Sequence, residues 1–300
     1  MIYALDFVIL FLVSLIWGLN ASLVKISIIQ IKSPLILAFW QAAVGGICTL
    51  LWVVISRGWK NISHENLLYG LVLALLHGIG ANILANIILF HLNITVISVI
   101  FGCTPILTYL SCHILQYDRI RPSRSLGILL GFSSICLLLT SSFSVASSDI
   151  FWIVIAFLVP ITFCVINLVI TIWSKNNSDY IELTLTRYSF SSLLLLLIIL
   201  IQGNSLVPPE MNYLATLSIS SIGILEVTSQ ALFILLIARA GPVFGSQTSY
   251  IATVFTACFG VLIFSERPST ALLLSITLMV VGVMLIHPMN PFKQVSSQKY

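Results

Sequence analysis

The chain has 300 residues, of which 59% are hydrophobic and only 7% charged, and its mean hydropathy is +1.12. A soluble domain carries about 25% charged residues, so the composition excludes an ordinary soluble fold and predicts an all-α protein that crosses the bilayer several times. The formal net charge of +4 is scattered singly along the chain; it forms no basic stripe, and no nucleic-acid partner is expected.

Met1–Asp6 holds no positively charged run, and no small-residue cleavage site follows, so the first apolar segment reads as a retained helix. Breaks in hydropathy then give ten spans of the length a bilayer requires. They run Leu5–Ile29, Leu35–Ser56, Leu67–Phe90, Thr95–Gln116, Ser125–Ser142, Ile150–Trp173, Glu182–Gln202, Tyr213–Ala238, Val243–Ser265 and Thr270–His287. The connections are short and several carry turn residues, among them Lys32-Ser33-Pro34, Asn61-Ile62-Ser63, Arg121-Pro122-Ser123, Val207-Pro208-Pro209, Ala240-Gly241-Pro242 and Glu266-Arg267-Pro268. No connection could house a soluble domain.

Span 1 carries Trp17, Asn20 and Lys25. Lys25 lies about one turn from the span's end, where a long side chain snorkels to the interface; Arg187, near the start of span 7, reads the same way. In span 3, Asn82, Asn86 and Asn93 fall within about 40° of one another at 100° per residue. They form either a polar wall for a solute or interhelical hydrogen bonds. His77, beside Gly78 and Gly80, reads as a hydrogen-bonded packing residue before a proton relay. Span 4 spreads Ser98, Thr104, Thr108 and Ser111 around Pro105, which would free the carbonyl of Phe101 and permit a kink usable as a gate hinge. Gly127 and Gly131 in span 5 form a small-xxx-small pair suited to close helix contact.

Span 8 holds Glu226 and Gln230, four apart on one face. Glu226 is the carboxylate that falls deepest in the membrane. An ionised side chain there is costly, so it faces a cavity or a partner. It is a candidate substrate ligand and a candidate proton carrier; Arg187 and Lys25 are the candidate ion-pair partners. Span 9 places Ser246, Tyr250 and Thr253 on one face with Thr256 beside them, although hydroxyls in helices also satisfy their own backbone. The six cysteines sit singly in apolar runs with no CxxC pair, so they read as packing residues, with no metal site and no disulfide.

Lysine and arginine are distributed unevenly between alternate connections. Nine lie on the side of the N-terminus (Arg57, Lys60, Arg119, Arg121, Arg124, Lys175, Arg239, Lys293 and Lys299), against Lys32 and Arg267 opposite. The positive-inside bias then puts both termini in the cytoplasm. A shift of 148 positions brings the halves into register. Asp118-Arg119 falls on Glu266-Arg267, Leu37-Ala38-Phe39-Trp40 on Leu185-Thr186-Arg187-Tyr188, Ser98 on Ser246, Thr108 on Thr256 and Asn82 on Gln230. Each half has an odd number of spans, so the two would lie in opposite orientations, with a solute site between them near mid-membrane.

Several residues carry a resemblance to the EamA-type, ten-helix members of the drug/metabolite transporter superfamily. Trp17-Gly18-Leu19-Asn20 with Lys25 is similar to the family's opening pattern. Thr104-Pro105-Ile106-Leu107 leads to Asp118-Arg119, where the family usually has Glu-Arg; Glu266-Arg267 keeps that form in the second half. Val281-Gly282-Val283 resembles the final glycine-containing turn. Asp118 in place of Glu and Thr253 at the position matching Pro105 depart from the pattern. The resemblance implies two inverted five-helix repeats over residues 1–145 and 146–290, followed by a cytoplasmic tail, 291–300.

These readings converge on a cell (inner) membrane transporter that moves a small metabolite by alternating access, an amino acid or related compound, with efflux favoured. The expected substrate ligands are Trp17, Asn20, Asn82, Asn86, Glu226, Gln230, Tyr250 and Thr253, with Pro105 as hinge. The bilayer, a small-molecule substrate and protons are the expected partners, and the protein is a monomer or a homodimer. There is no GxxxxGK[ST] loop for nucleotide, no cofactor is expected, and no paired acids, HExxH or Ser/Lys dyad suggests an enzyme. A lipid or lipid-linked sugar translocase and a non-transporting membrane scaffold are the alternatives.

Overall fold

The structure, a computed structural model, describes residues 2–31, 33–57, 62–92, 97, 100–139, 150–175, 179–206, 213–264 and 270–288. Asn93, Ser98, Lys32, Lys60, Asn61, Val207, Pro208, Pro209, Glu266, Arg267, Pro268 and the tail 291–300 lie outside the described residues, as do the side chains of Lys25 and Arg57.

Among the described residues the fold is entirely helical. The helices are α1 (Ile2–Ile31), α2 (Pro34–Arg57), α3 (His64–Leu73), α4 (Leu84–His91), α5 (Thr104–Ile114), α6 (Pro122–Leu139), α7 (Ile150–Ala156) and α8 (Leu158–Trp173). They continue with α9 (Tyr180–Ile201), α10 (Tyr213–Ala240), α11 (Pro242–Ser246), α12 (Thr248–Phe264) and α13 (Thr270–Met284). Seven helical stretches are long and apolar enough to cross a membrane, and three shorter apolar ones cover Ile100–Ile114, Pro122–Leu137 and Leu273–Met284. Large apolar side chains such as Trp52, Ile55, Phe151 and Ile201 are exposed on the outside, while Asn20, Gln41, His77, Asn167 and Arg187 are buried. That distribution fits a bundle whose solvent is lipid.

The third expected span is not uniformly α-helical. Between α3 and α4 the chain forms a π-helix over Ala74–Ile83. In an α-helix, residues five apart lie about 140° apart. The wider π turn brings His77 and Asn82 to the same side, as π segments at functional positions often do. Two other spans are interrupted, at Phe157 between α7 and α8 and at Gln247 between α11 and α12. Pro105 sits in the first turn of α5, directly after a break at Cys103, a position proline suits. Gly241 turns the chain between α10 and α11 with φ +87°, open chiefly to glycine.

The small-xxx-small pair is used inside the molecule. A Cβ on Gly127 would lie 2.5 Å from the Gly282 carbonyl oxygen, so α6 and α13 touch backbone to backbone. A little further along, Ser134 Oγ donates to Ser275 O and Ser275 Oγ donates to Ser134 O, both at 2.8 Å. Gly131 leaves room for the ring of Tyr250, whose hydroxyl donates to Ile128 O at 3.2 Å. Tyr250, expected on a polar face, is therefore a fully buried packing residue.

One end of the bundle is tied by polar contacts between distant segments. Arg239 Nε donates to Asp6 Oδ1 at 2.8 Å, and Trp173 Nε1 donates to Asn66 Oδ1 at 2.7 Å. Arg124 pairs with Asp118 and donates through Nη2 to the His287 carbonyl at 2.6 Å. Both members of the Asp118–Arg124 pair are buried. Asp118→Asn strands a buried guanidinium, and a loss of about 3 kcal/mol is expected; thermal unfolding in detergent measures it, and adding Arg124→Met should recover part. Tyr250→Phe removes one buried hydrogen bond and should cost about 1 kcal/mol by the same assay.

Candidate functional site

A cavity of about 250 Å³ lies in the middle of the bundle. Glu226 sits near the midpoint of α10, which places the only described carboxylate lining the cavity far from either membrane surface. The walls come from both halves of the chain. Trp17 and Asn20 of α1, Gln41 of α2, and His77, Asn82 and Asn86 of the third span form one side. Asn167 of α8, Glu226 and Gln230 of α10, and the Ser249 and Thr253 face of α12 form the other.

The polar groups are joined by hydrogen bonds whose directions the chemistry fixes. Arg187 can only donate, and its Nη1 lies 2.7 Å from Gln230 Oε1. That turns the amide nitrogen of Gln230 towards Glu226 Oε1, at 3.0 Å. The same nitrogen lies 3.2 Å from His77 Nε2. With the amide donating, the imidazole accepts there as a neutral ring protonated on Nδ1. Asn20 Nδ2 donates to the other oxygen, Glu226 Oε2, at 3.1 Å. Across the cavity Asn82 Nδ2 donates to Gln41 Oε1 at 3.1 Å, and Asn86 Nδ2 reaches Asn82 Oδ1 and the Pro34 carbonyl at 3.5 and 3.4 Å. Asn167 Nδ2 donates to Thr108 Oγ1 at 3.2 Å.

An aromatic wall adjoins the carboxylate. Trp17 packs against Phe233 with ring centroids 4.9 Å apart and against Phe163 at 6.4 Å. Its indole nitrogen donates to Ser229 Oγ at 3.1 Å, and Ser229 in turn donates to the Glu226 backbone carbonyl. The ring orientation is thereby tied to the turn that carries the carboxylate. The hydroxyl face of α12 is largely self-satisfied: Ser249 donates to Ser246 O, Thr253 to Ser249 O and Thr256 to Ala252 O. Those side chains offer acceptor oxygens and methyl groups to the cavity more than free donors.

The structure brings together Trp17, Asn20, Asn82, Asn86, Glu226, Gln230 and Thr253 around one space. Tyr250 is not among its lining residues, and Pro105 lies one residue beyond Thr104, which is. Arg187 does not snorkel: it is 1% exposed and points inwards. It lies seven residues into α9, about 10 Å along the axis; the helix starts at Tyr180, two residues before the expected span, which sets Arg187 deeper than expected. Neither does it pair directly with Glu226, since Gln230 stands between them. Gln41 and Asn167 carried no sequence signal, being single amides in apolar helices.

No curated protein matches the sequence. Among solved structures, a crystal structure described only as that of a protein is similar over 94% of this chain and 97% of its own, with a TM-score of 0.77 and 18% identity. At that identity the likeness concerns the fold alone. The EamA-like transporter family model matches residues 6–140 and again residues 150–287. The chain, a multi-pass membrane protein, belongs to the EamA-like transporter family.

Proposed function

We propose that the protein is a secondary transporter of the cell (inner) membrane that moves a small metabolite by alternating access. The observation that carries this reading is the mid-bundle cavity, built by both halves of the chain around a single carboxylate. An amino acid or a related compound is the proposed cargo, with efflux the favoured direction. Trp17, Asn20, Asn82, Asn86, Glu226, Gln230 and Thr253 are the proposed contacts. Glu226 is also the candidate proton carrier, and Pro105 the candidate hinge.

The proposed architecture is ten spans in two inverted repeats, 1–145 and 146–290, with both termini cytoplasmic. Contacts between α6 and α13 support it. A shift of 148 carries Gly127 onto Ser275 and Ser134 onto Gly282. The Gly127–Gly282 contact therefore maps onto the reciprocal Ser134–Ser275 pair, as a twofold relation between the halves requires. The two separate family matches agree with the division. The excess of Lys and Arg on the N-terminal side supports the orientation.

A second reading, translocation of a lipid or lipid-linked sugar, draws on a separate apolar cleft of about 350 Å³ between Phe7, Phe11, Ile251, Met279 and Val283, where an acyl chain would fit.

Paired metabolite and lipid profiling of cells and spent medium distinguishes the two. Cells making the wild type, cells making Glu226→Gln and empty-vector cells are compared. One class of polar metabolite is expected to shift with the wild type, and at equal membrane abundance Glu226→Gln should reduce that movement at least tenfold, about 1.4 kcal/mol. A shift in lipids alone favours the second reading. If abundant wild-type protein moves nothing, the transporter reading falls.

A further inference from the structure

The charges in and behind the cavity are arranged asymmetrically. Glu226 is partly open to it, with 19% of its side chain exposed. Each carboxylate oxygen accepts one hydrogen bond, from Gln230 or from Asn20. A carboxylate offers about four acceptor positions, so two remain for a ligand. Beside it, the Asn20 amide nitrogen is committed to Glu226 and its Oδ1 is buried away from the cavity, so Asn20 fixes the carboxylate in place. The next groups along are the Trp17, Phe163 and Phe233 rings, whose faces attract cations. A carboxylate with open acceptor positions and an aromatic wall are together complementary to an ammonium group on an apolar body.

The balancing cation is Arg187, and it is withheld from the cavity. The guanidinium is not part of the lining, and its Nη1 is spent on Gln230 Oε1. A ligand charge seated on Glu226 would stand at hydrogen-bond distance from the carboxylate. It would be further from Arg187, behind an amide and a second hydrogen bond, so the nearer charge governs.

We propose that the cavity takes its substrate by a protonated amino group held on Glu226, whose carboxylate Asn20 positions, and that Gln230 sets this preference by capping Arg187. The inference rests on the transporter reading only in calling the ligand a substrate; the binding preference stands or falls by itself. Gln230 is a specificity-determining residue whose amide presents oxygen to the arginine and nitrogen to the carboxylate. Without it the guanidinium either reaches Glu226 directly and occupies it, or opens to the cavity and accepts carboxylates. Both routes lower the preference for an amine over an acid.

The test uses three probes with one ring and different charge: 2-phenylethylamine, phenylalanine and 3-phenylpropionate. Their dissociation constants are measured on purified full-length protein in detergent, for the wild type, Gln230→Ala, Gln230→Met and the double variant Arg187→Met with Gln230→Ala. The wild type is expected to bind the amine at least tenfold more tightly than the acid. Each Gln230 single variant should shrink that ratio at least tenfold, with Gln230→Met keeping the side-chain volume should the alanine variant be unstable. The double variant should restore the ratio to within about threefold of wild type, which a merely structural role for Gln230 would not produce. An unchanged ratio in both folded single variants overturns the proposal. So does a wild type that prefers the acid, or binds none of the three probes. None of these outcomes measures movement across a membrane, so they leave the transporter reading to the profiling experiment, and a failure there leaves the binding preference intact.

Discussion

An arginine and a glutamate share the interior of a bundle whose outside is apolar, and the polar groups around them are arranged to keep the two charges apart and partly compensated. Arg187 and Glu226 are not in contact. A glutamine bridges them, an asparagine from α1 takes the second carboxylate oxygen, and a histidine accepts the remaining amide hydrogen. Uncompensated charges at this depth would each cost several kcal/mol. The network draws α1, the π segment, α9 and α10 towards one point, and the cavity is the space left beside it.

The same principle works differently at the tied end of the bundle. There the pairs are direct: Asp118 with Arg124, and Asp6 with Arg239. The Asp6–Arg239 pair joins segments far apart in sequence, and Arg124, paired with Asp118 six residues away, also reaches the carbonyl of His287 at the end of the last span. Contacts between charges that end in full pairing hold a shape. The central network leaves acceptor positions on Glu226 unfilled, which is what a site for a ligand requires.

Much of this was readable from residue spacing. The i, i+4 pairs Asn82/Asn86 and Glu226/Gln230 set polar groups on single faces, and both pairs line the cavity. The glycine pair Gly127/Gly131 marked a close helix contact, found between α6 and its neighbours. What escaped has physical causes. The π-helix arises from tertiary packing and leaves no period in so apolar a stretch. Gln41 and Asn167 are isolated amides whose meaning lies in partners on other helices. Ser246, Ser249, Thr253 and Thr256 line the cavity, while Tyr250 is turned to the notch at Gly131 on α6, a partner that spacing alone does not reveal. Arg187 is buried instead of snorkelling because α9 starts at Tyr180, two residues before the expected Glu182, and Gln230 on α10 offers it an acceptor.

The glutamine between the two charges has a consequence for how such a protein could diversify. Either glutamine codon becomes one for glutamate, lysine, arginine, histidine or leucine by a single-base change. At Gln230 those steps would add a negative charge, add a positive one, or remove the bridge, each without disturbing the residues that form the fold's glycine contacts or its end pairs. A family built on this interior could therefore alter the charge of what it admits by the smallest available genetic step, with the scaffold carried along unchanged.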